Sequence, residues 1–210
     1  MKRAEVDETK FNPDLAYPYA LRKMDFISAM QDVYDFFADV NDNLAGKGLQ
    51  RFDDMIRPAA MSGMLSDMIT DSMANHSRAL TSNLHHNGHP DLIVRGRYPN
   101  DKIAAGSEGV EVKATRKPGG AVDTHGGRDQ TLCVWVYEVD NDRNKSIYER
   151  EPLRFREIYI ADVSVSDFRH NERGTLGTRT STLHKAGLVN FRRGWVYLDE
   201  SSGGHSAWRR

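Results

Sequence analysis

The chain has a single cysteine among its 210 residues, so no internal disulfide can brace it and stability must come from an apolar core. That residue, Cys133, stands in the apolar run Leu-Cys-Val-Trp-Val-Tyr (132–137), which is the setting of a buried thiol rather than of a nucleophile. No apolar run approaches the roughly 18 residues that a membrane span needs. The opening MKRAEVDETK lacks the apolar stretch of a signal peptide, so the expectation is a cytoplasmic protein without a membrane partner. Internal repeats, low-complexity segments and a convincing interdomain linker are also missing.

An excess of charge of one sign is lacking too: the formal net charge is −1. The total hides an asymmetry. Residues 1–91 carry 9 Lys and Arg against 14 Asp and Glu, whereas residues 169–210 carry 8 against 3. An acidic structural half and a basic face turned towards phosphates would give this pattern, as would a solvated surface with chance clustering. With 39% hydrophobic and 28% charged residues, the composition is that of an ordinary folded domain with one sizeable core.

Periodicity organises the first part of the chain. Between Pro18 and Leu44, Leu21, Met24, Ile27, Met30, Val33, Tyr34, Phe37 and Val40 recur at spacings of three and four, which predicts an amphipathic helix ended at Gly46-Lys-Gly48. A second helix is expected from about Ser62 to Leu80, with Met64, Leu65, Met68, Ile69 and Met73 as its buried stripe. From residue 90 the pattern turns to strands: Leu92–Val94, then Gly109–Ala114, then Leu132–Val139 as the central strand, Phe155–Val163 and Trp195–Leu198. In Gly109-Val-Glu-Val-Lys-Ala114 the alternation buries Val110 and Val112 and leaves Glu111 and Lys113 together on the other face. Helices followed by strands with irregular insertions point to an α/β or α+β fold.

Two fragments carry the chemistry: His89-Pro-Asp-Leu-Ile-Val94 and Gly109-Val-Glu-Val-Lys113. Together, Pro90-Asp91 and Glu111-Val112-Lys113 resemble the PD-(D/E)xK nuclease superfamily, to which many type II restriction endonucleases belong. The resemblance spans roughly residues 60–140. It implies a restriction-endonuclease-like core, with a central mixed β-sheet flanked by helices. Residues 61–210 would form that core, and residues 1–60 a helical extension. It also implies that Asp91, Glu111 and Lys113 are catalytic, and that Asp91, Glu111 and the carbonyl of Val112 hold Mg²⁺, with Mn²⁺ able to substitute. Hydrolysing a phosphodiester requires charge neutralisation and an activated water, and two hard carboxylates with a metal and a lysine supply both. Both halves of the motif adjoin apolar strand-like runs, their separation suits a hairpin, and a helix precedes them.

Around this centre the sequence offers further candidates. Asp67 and Asp71, one turn apart on the second helix, are possible auxiliary acids, as is Gln130, which could also reach a base edge. Donors for DNA are Arg116, Lys117, His125 and Arg128 in a Gly-rich stretch, then Arg173 and Arg179, with Arg192 and Arg193 in an expected hairpin. His85, His86 and His89 lack the partners of a zinc site and read as loop histidines beside the cleft. The resulting expectation is a Mg²⁺-dependent endonuclease of double-stranded DNA without a nucleotide cofactor, most plausibly sequence-specific. A structure-selective or repair endonuclease and a catalytically silent DNA-binding module are the alternatives. A homodimer is expected because a duplex has two antiparallel strands, with Phe26, Ile27, Tyr34, Phe36 and Phe37 as apolar surface for it.

Overall fold

The structure, a computed structural model, describes residues 1–124, 126–171 and 180–199. Its helices are α1 (Lys23–Gly46), α2 (Phe52–Met55), α3 (Pro58–His76) and α4 (Lys185–Phe191). Its strands are β1 (Leu80–Ser82), β2 (Leu92–Val94), β3 (Gly109–Thr115), β4 (Asp123–Thr124), β5 (Gln130–Glu138), β6 (Arg154–Val163), β7 (Phe168–His170), β8 (Ser181–Leu183) and β9 (Trp195–Leu198). Six strands form one mixed sheet in the order β1-β2-β3-β5-β6-β9, and a small second sheet has the order β4-β8-β7. Only β3 and β5 run parallel within the main sheet; the other neighbours are antiparallel. The fold is mixed α and β, of the α+β kind, with a central sheet and packed helices. Among the described residues, no helix is long and apolar enough to cross a membrane.

The apolar run of β5 is buried on both faces, and the two faces meet different partners. Cys133, Trp135 and Tyr137 join Val110, Val112 and Ala114 of β3 against α1 and α3. Leu132, Val134 and Val136 point the other way, to Tyr159, Val163, Leu183 and Phe191. Trp135 anchors the first layer, stacked on Phe26 of α1 at 5.8 Å and meeting the Phe155 ring edge-on at 4.9 Å. Each such fully buried large side chain contributes roughly 1.5–3 kcal/mol.

Helix α1 starts at Lys23 rather than Pro18. Pro18–Ala20 is a separate 3-10 turn in which Tyr19 and Ala20 take φ of 52° and 53°. The Asp25 carboxylate then accepts the Arg22 backbone N–H and caps the first turn of α1. Its buried stripe is Phe26, Met30, Val33, Tyr34 and Phe37; the last four are as expected, Phe26 is added, and Met24 is exposed. Phe26, Tyr34 and Phe37 are thereby engaged in the chain's own core, and of the five apolar residues expected to serve a dimer only Phe36 is exposed. The N-terminal segment is likewise tied into the sheet, for Asn12 N–H donates to the Val196 carbonyl and Phe11 bridges Tyr197. Residues 1–60 therefore share the main core.

Helix α3 begins earlier than expected, at Pro58, whose missing N–H costs nothing in the first turn, and Met61 joins Leu65, Ile69 and Met73 as the fully buried stripe. It also ends earlier. The Ser77 hydroxyl oxygen accepts the N–H groups of Ala79 and Leu80, which stops the helix and lets Leu80 open β1. Arg192 and Arg193, expected in a hairpin, stand in a 3-10 turn between α4 and β9.

Candidate active site

Strand β2 is short, and it pairs with β3 only at Leu92 opposite Val110 and Ile93 opposite Gly109. Past Val110 the edge of β3 has no strand beside it among the described residues, and its N–H groups need other acceptors. Side chains supply them. The Asp91 carboxylate, just ahead of β2, accepts the Val112 N–H at 2.8 Å, and the Ser66 hydroxyl of α3 accepts the Ala114 N–H at 2.9 Å. Ser66 in turn donates to the Ser62 carbonyl. The β2–β3 hairpin and α3 thus meet at the open edge, and the sequence-predicted trio Asp91, Glu111 and Lys113 is gathered there.

The trio is organised around the lysine. Its Nζ donates to Glu111 Oε1, stands 3.6 Å from Asp91 Oδ2, and donates to the Val112 carbonyl at 3.2 Å. Two carboxylates and one backbone carbonyl therefore converge on a single cationic centre. Hard oxygen donors of this kind suit Mg²⁺, so the residues present fit the ion that the resemblance implies. Among the described residues no three His, Cys, Asp or Glu side chains are grouped to hold a metal, since the third oxygen here belongs to the main chain.

Half-burial pulls the two acids apart. Burial raises the Asp91 carboxyl to about 6, with the Lys113 ammonium and the Val112 N–H opposing the rise and Glu111 adding to it. Burial works on Glu111 in the same direction, but the hydrogen bond from His89 and the Lys113 charge outweigh it and hold this carboxyl well below the usual range. For Lys113, burial favours the neutral amine, and the two carboxylates overcome it and keep the ammonium charged. The centre is thus one acid held ionised, one poised nearer neutrality, and one firm cation.

A cleft of about 530 Å³ opens beside the trio, lined by the start of α3, by Asp91 and Val112–Lys117, and by Ala121–Asp123. Of the two proposed auxiliary acids, Asp67 lines it; Asp71 instead accepts from the Ser82 hydroxyl away from it. Arg116 lies in the cleft with its guanidinium over the Tyr137 ring at 5.6 Å, and its Nε is buried with no hydrogen-bond partner. Lys117 is exposed at the mouth, 3.6 Å from Asp123. Gln130 opens β5 opposite Val163 and does not line the cleft; nor does Arg128, half-buried just before it. Arg192 donates to the Gly119 carbonyl from behind and so braces the turn that carries the cleft wall, while Arg193 is exposed. That turn depends on glycine: a side chain at Gly119, where φ is 79°, would collide with the Arg192 guanidinium. His125, Arg173 and Arg179 lie outside the described residues.

Two residues of the site went unforeseen. Ser66 carries no sequence mark, since serines in helices are common and its role depends on where β3 passes. His89 is the other: Nδ1 lies 2.6 Å from Glu111 Oε2, whereas His85 turns to the His86 carbonyl in an exposed loop. Its adjacency to Pro90-Asp91 was the available signal. Comparisons with protein-family models, with curated proteins and with solved structures give no match for this chain.

Proposed function

We propose that the protein is a Mg²⁺-dependent endonuclease of double-stranded DNA, with a restriction-endonuclease-like core and a sequence-specific mode of cutting. The observation that carries this reading is the convergence of Asp91, Glu111 and the Val112 carbonyl on one cationic centre at the rim of a cleft holding Arg116 and Lys117. The hairpin from β2 to β3, which sets the acid of the first strand against the acidic-x-Lys of the next, supports the family resemblance.

Asp91, Glu111 and the Val112 carbonyl would hold Mg²⁺, which when bound supplies positive charge against the scissile phosphate and acidifies a water. The chain's own groups do the rest. Lys113 provides an ammonium for the charge that grows on the phosphate during attack, a task suited to a compact cation in a half-buried site. Arg116, oriented by Tyr137, binds a neighbouring phosphate, and Lys117 meets the backbone at the mouth. Asp67 adds a carboxylate to the cleft wall. The proposal concerns the site of one subunit; the α1 aromatics that would have argued for a homodimer are largely engaged in the core.

Cleavage of long unmethylated duplex DNA in Mg²⁺ tests the reading, with wild type set beside Glu111→Ala and Lys113→Ala. Discrete fragments from wild type, reduced on the order of 10³-fold or more in both variants, are expected. A smear that the variants lose would keep the chemistry and remove the sequence specificity. Preference for branched duplex would turn the reading towards a structure-selective enzyme. Activity that survives Glu111→Ala would overturn the assigned centre, and no cleavage by wild type would leave a DNA-binding module.

A further inference from the structure

We propose that His89 is a positioning residue that fixes the rotation of the Glu111 carboxylate, so that Oε2 is held by the imidazole and Oε1 is presented to the cation site. The inference rests on the nuclease reading of that site. Glu111 divides its two oxygens cleanly: Oε2 meets His89 Nδ1 at 2.6 Å, and Oε1 meets the Lys113 ammonium. Both His89 and Glu111 side chains are 14% exposed, so little solvent competes for the pair. An ionised carboxylate only accepts, so Nδ1 must carry the proton in this bond. A carboxylate tethered at one oxygen no longer turns freely about its last torsion, and its other oxygen is preorganised for a cation.

The backbone that carries the imidazole is held in place independently of Glu111. His89 N–H donates to the Ala104 carbonyl at 3.1 Å, and the His89 carbonyl accepts the Gly106 N–H at 2.7 Å. Asn83 staples the same loop. Its amide nitrogen donates to the carbonyls of Pro90 and Ile103, and its oxygen accepts the Ile103 N–H. Close approach makes the arrangement tight: a side chain on Gly88 would strike the Ile103 carbonyl oxygen, and one on Gly106 the Tyr98 hydroxyl. The loop from 83 to 106 thus fixes the backbone position from which the imidazole reaches one oxygen of Glu111.

The test measures Mn²⁺ binding directly by electron paramagnetic resonance titration, beside thermal melting, for wild type, Glu111→Ala, His89→Phe, His89→Asn and His89→Gln. His89→Phe keeps a ring without a donor and is expected to weaken Mn²⁺ binding about 10- to 100-fold, as loss of a partner behind a metal ligand does elsewhere. The Asn amide nitrogen falls where Nδ1 stands, so His89→Asn is expected to recover most of the affinity. His89→Gln, whose amide reaches to the place of Nε2, is expected not to. Wild-type affinity in His89→Phe would overturn the inference. If the Phe variant fails to fold, the Asn and Gln variants decide, and equal affinity in those two would overturn it. Should wild type itself bind no Mn²⁺, the metal site and this inference fall together. If wild type binds and Glu111→Ala does not, while His89→Phe binds as wild type, only the role of His89 is lost.

Discussion

Two groups of enclosed charge in this molecule are built on opposite plans. Between α1 and α2, Arg51 and Asp53 are almost wholly buried, and each is answered on every side. Asp53 also accepts from Asn41, Arg51 also donates to the Glu151 carbonyl, and Asn41 accepts the Phe52 N–H. One anion meets one cation, and the group closes on itself. At the edge of β3 two anions share one cation, and the cluster opens onto a cleft. The first plan fixes a turn; the second leaves a demand for positive charge that a ligand can meet. Burial by itself does not mark a functional site; an unbalanced count of buried charges facing a cavity makes a candidate.

Breaking the closed group should have the largest effect on folding. Asp53→Ala strands the Arg51 guanidinium and should cost about 3–5 kcal/mol in denaturant unfolding, whereas no comparable loss is expected from Glu111→Ala at the open cluster. Next in size is Ser66→Ala, which leaves the Ala114 N–H without its acceptor. It should lower stability by about 1–3 kcal/mol in the same measurement and slow cleavage by letting α3 drift from β3.

A smaller change of opposite sign sharpens the contrast. Because the folded state raises the Asp91 carboxyl above its ordinary value of 3.8, its ionised form opposes folding once the pH exceeds both values. Asp91→Asn should therefore raise the melting temperature at pH 8, with the gain vanishing by pH 4, while cleavage is lost at every pH. Equal melting at both pH values would show that Asp91 bears no such strain. The smallest effect concerns Asp140. Burial would raise its carboxyl, but the backbone N–H groups of Asp142 and Glu151 and the Lys145 ammonium outweigh it and hold it at about 2. A carboxyl lowered on folding stabilises the fold above its ordinary value and loses that contribution as the pH falls towards 2. The melting difference between wild type and Asp140→Asn should accordingly be widest near neutrality and shrink between pH 4 and pH 2.

The open cluster was partly legible in the sequence because its acids and lysine sit on adjacent pieces of a hairpin. Alternation alone puts Glu111 and Lys113 on one face, and the short spacing to Asp91 suits a hairpin return. Of the partners that complete it, Ser66 comes from elsewhere in the chain with nothing local to mark it, and His89 is marked only by standing next to Pro90-Asp91. Ser66 is a helix serine until β3 lies beside it, and His89 is one of three loop histidines until residues 99–106 fold over it. The same division holds for the fold. The apolar run of β5 and the stripe of α1 declare themselves, although Met24, apolar in composition, faces solvent. Strands β1, β7 and β8 hold three residues each, too few for periodicity to show. An apolar face is the same signal whether it meets a second subunit or the chain's own sheet, and of the five residues named for a dimer Phe26, Tyr34 and Phe37 meet the chain's own core.

The open stretch of β3 has a consequence for solubility. A strand edge with free amides is a template on which a strand of another molecule can add, and such edges seed aggregation unless they are blocked. Here the blocks are Asp91, an acid lying across the Val112 amide, and Ser66, reaching over from α3 to the Ala114 amide. The acid proposed to hold the metal is thus also placed to keep a neighbouring chain from zipping onto the sheet.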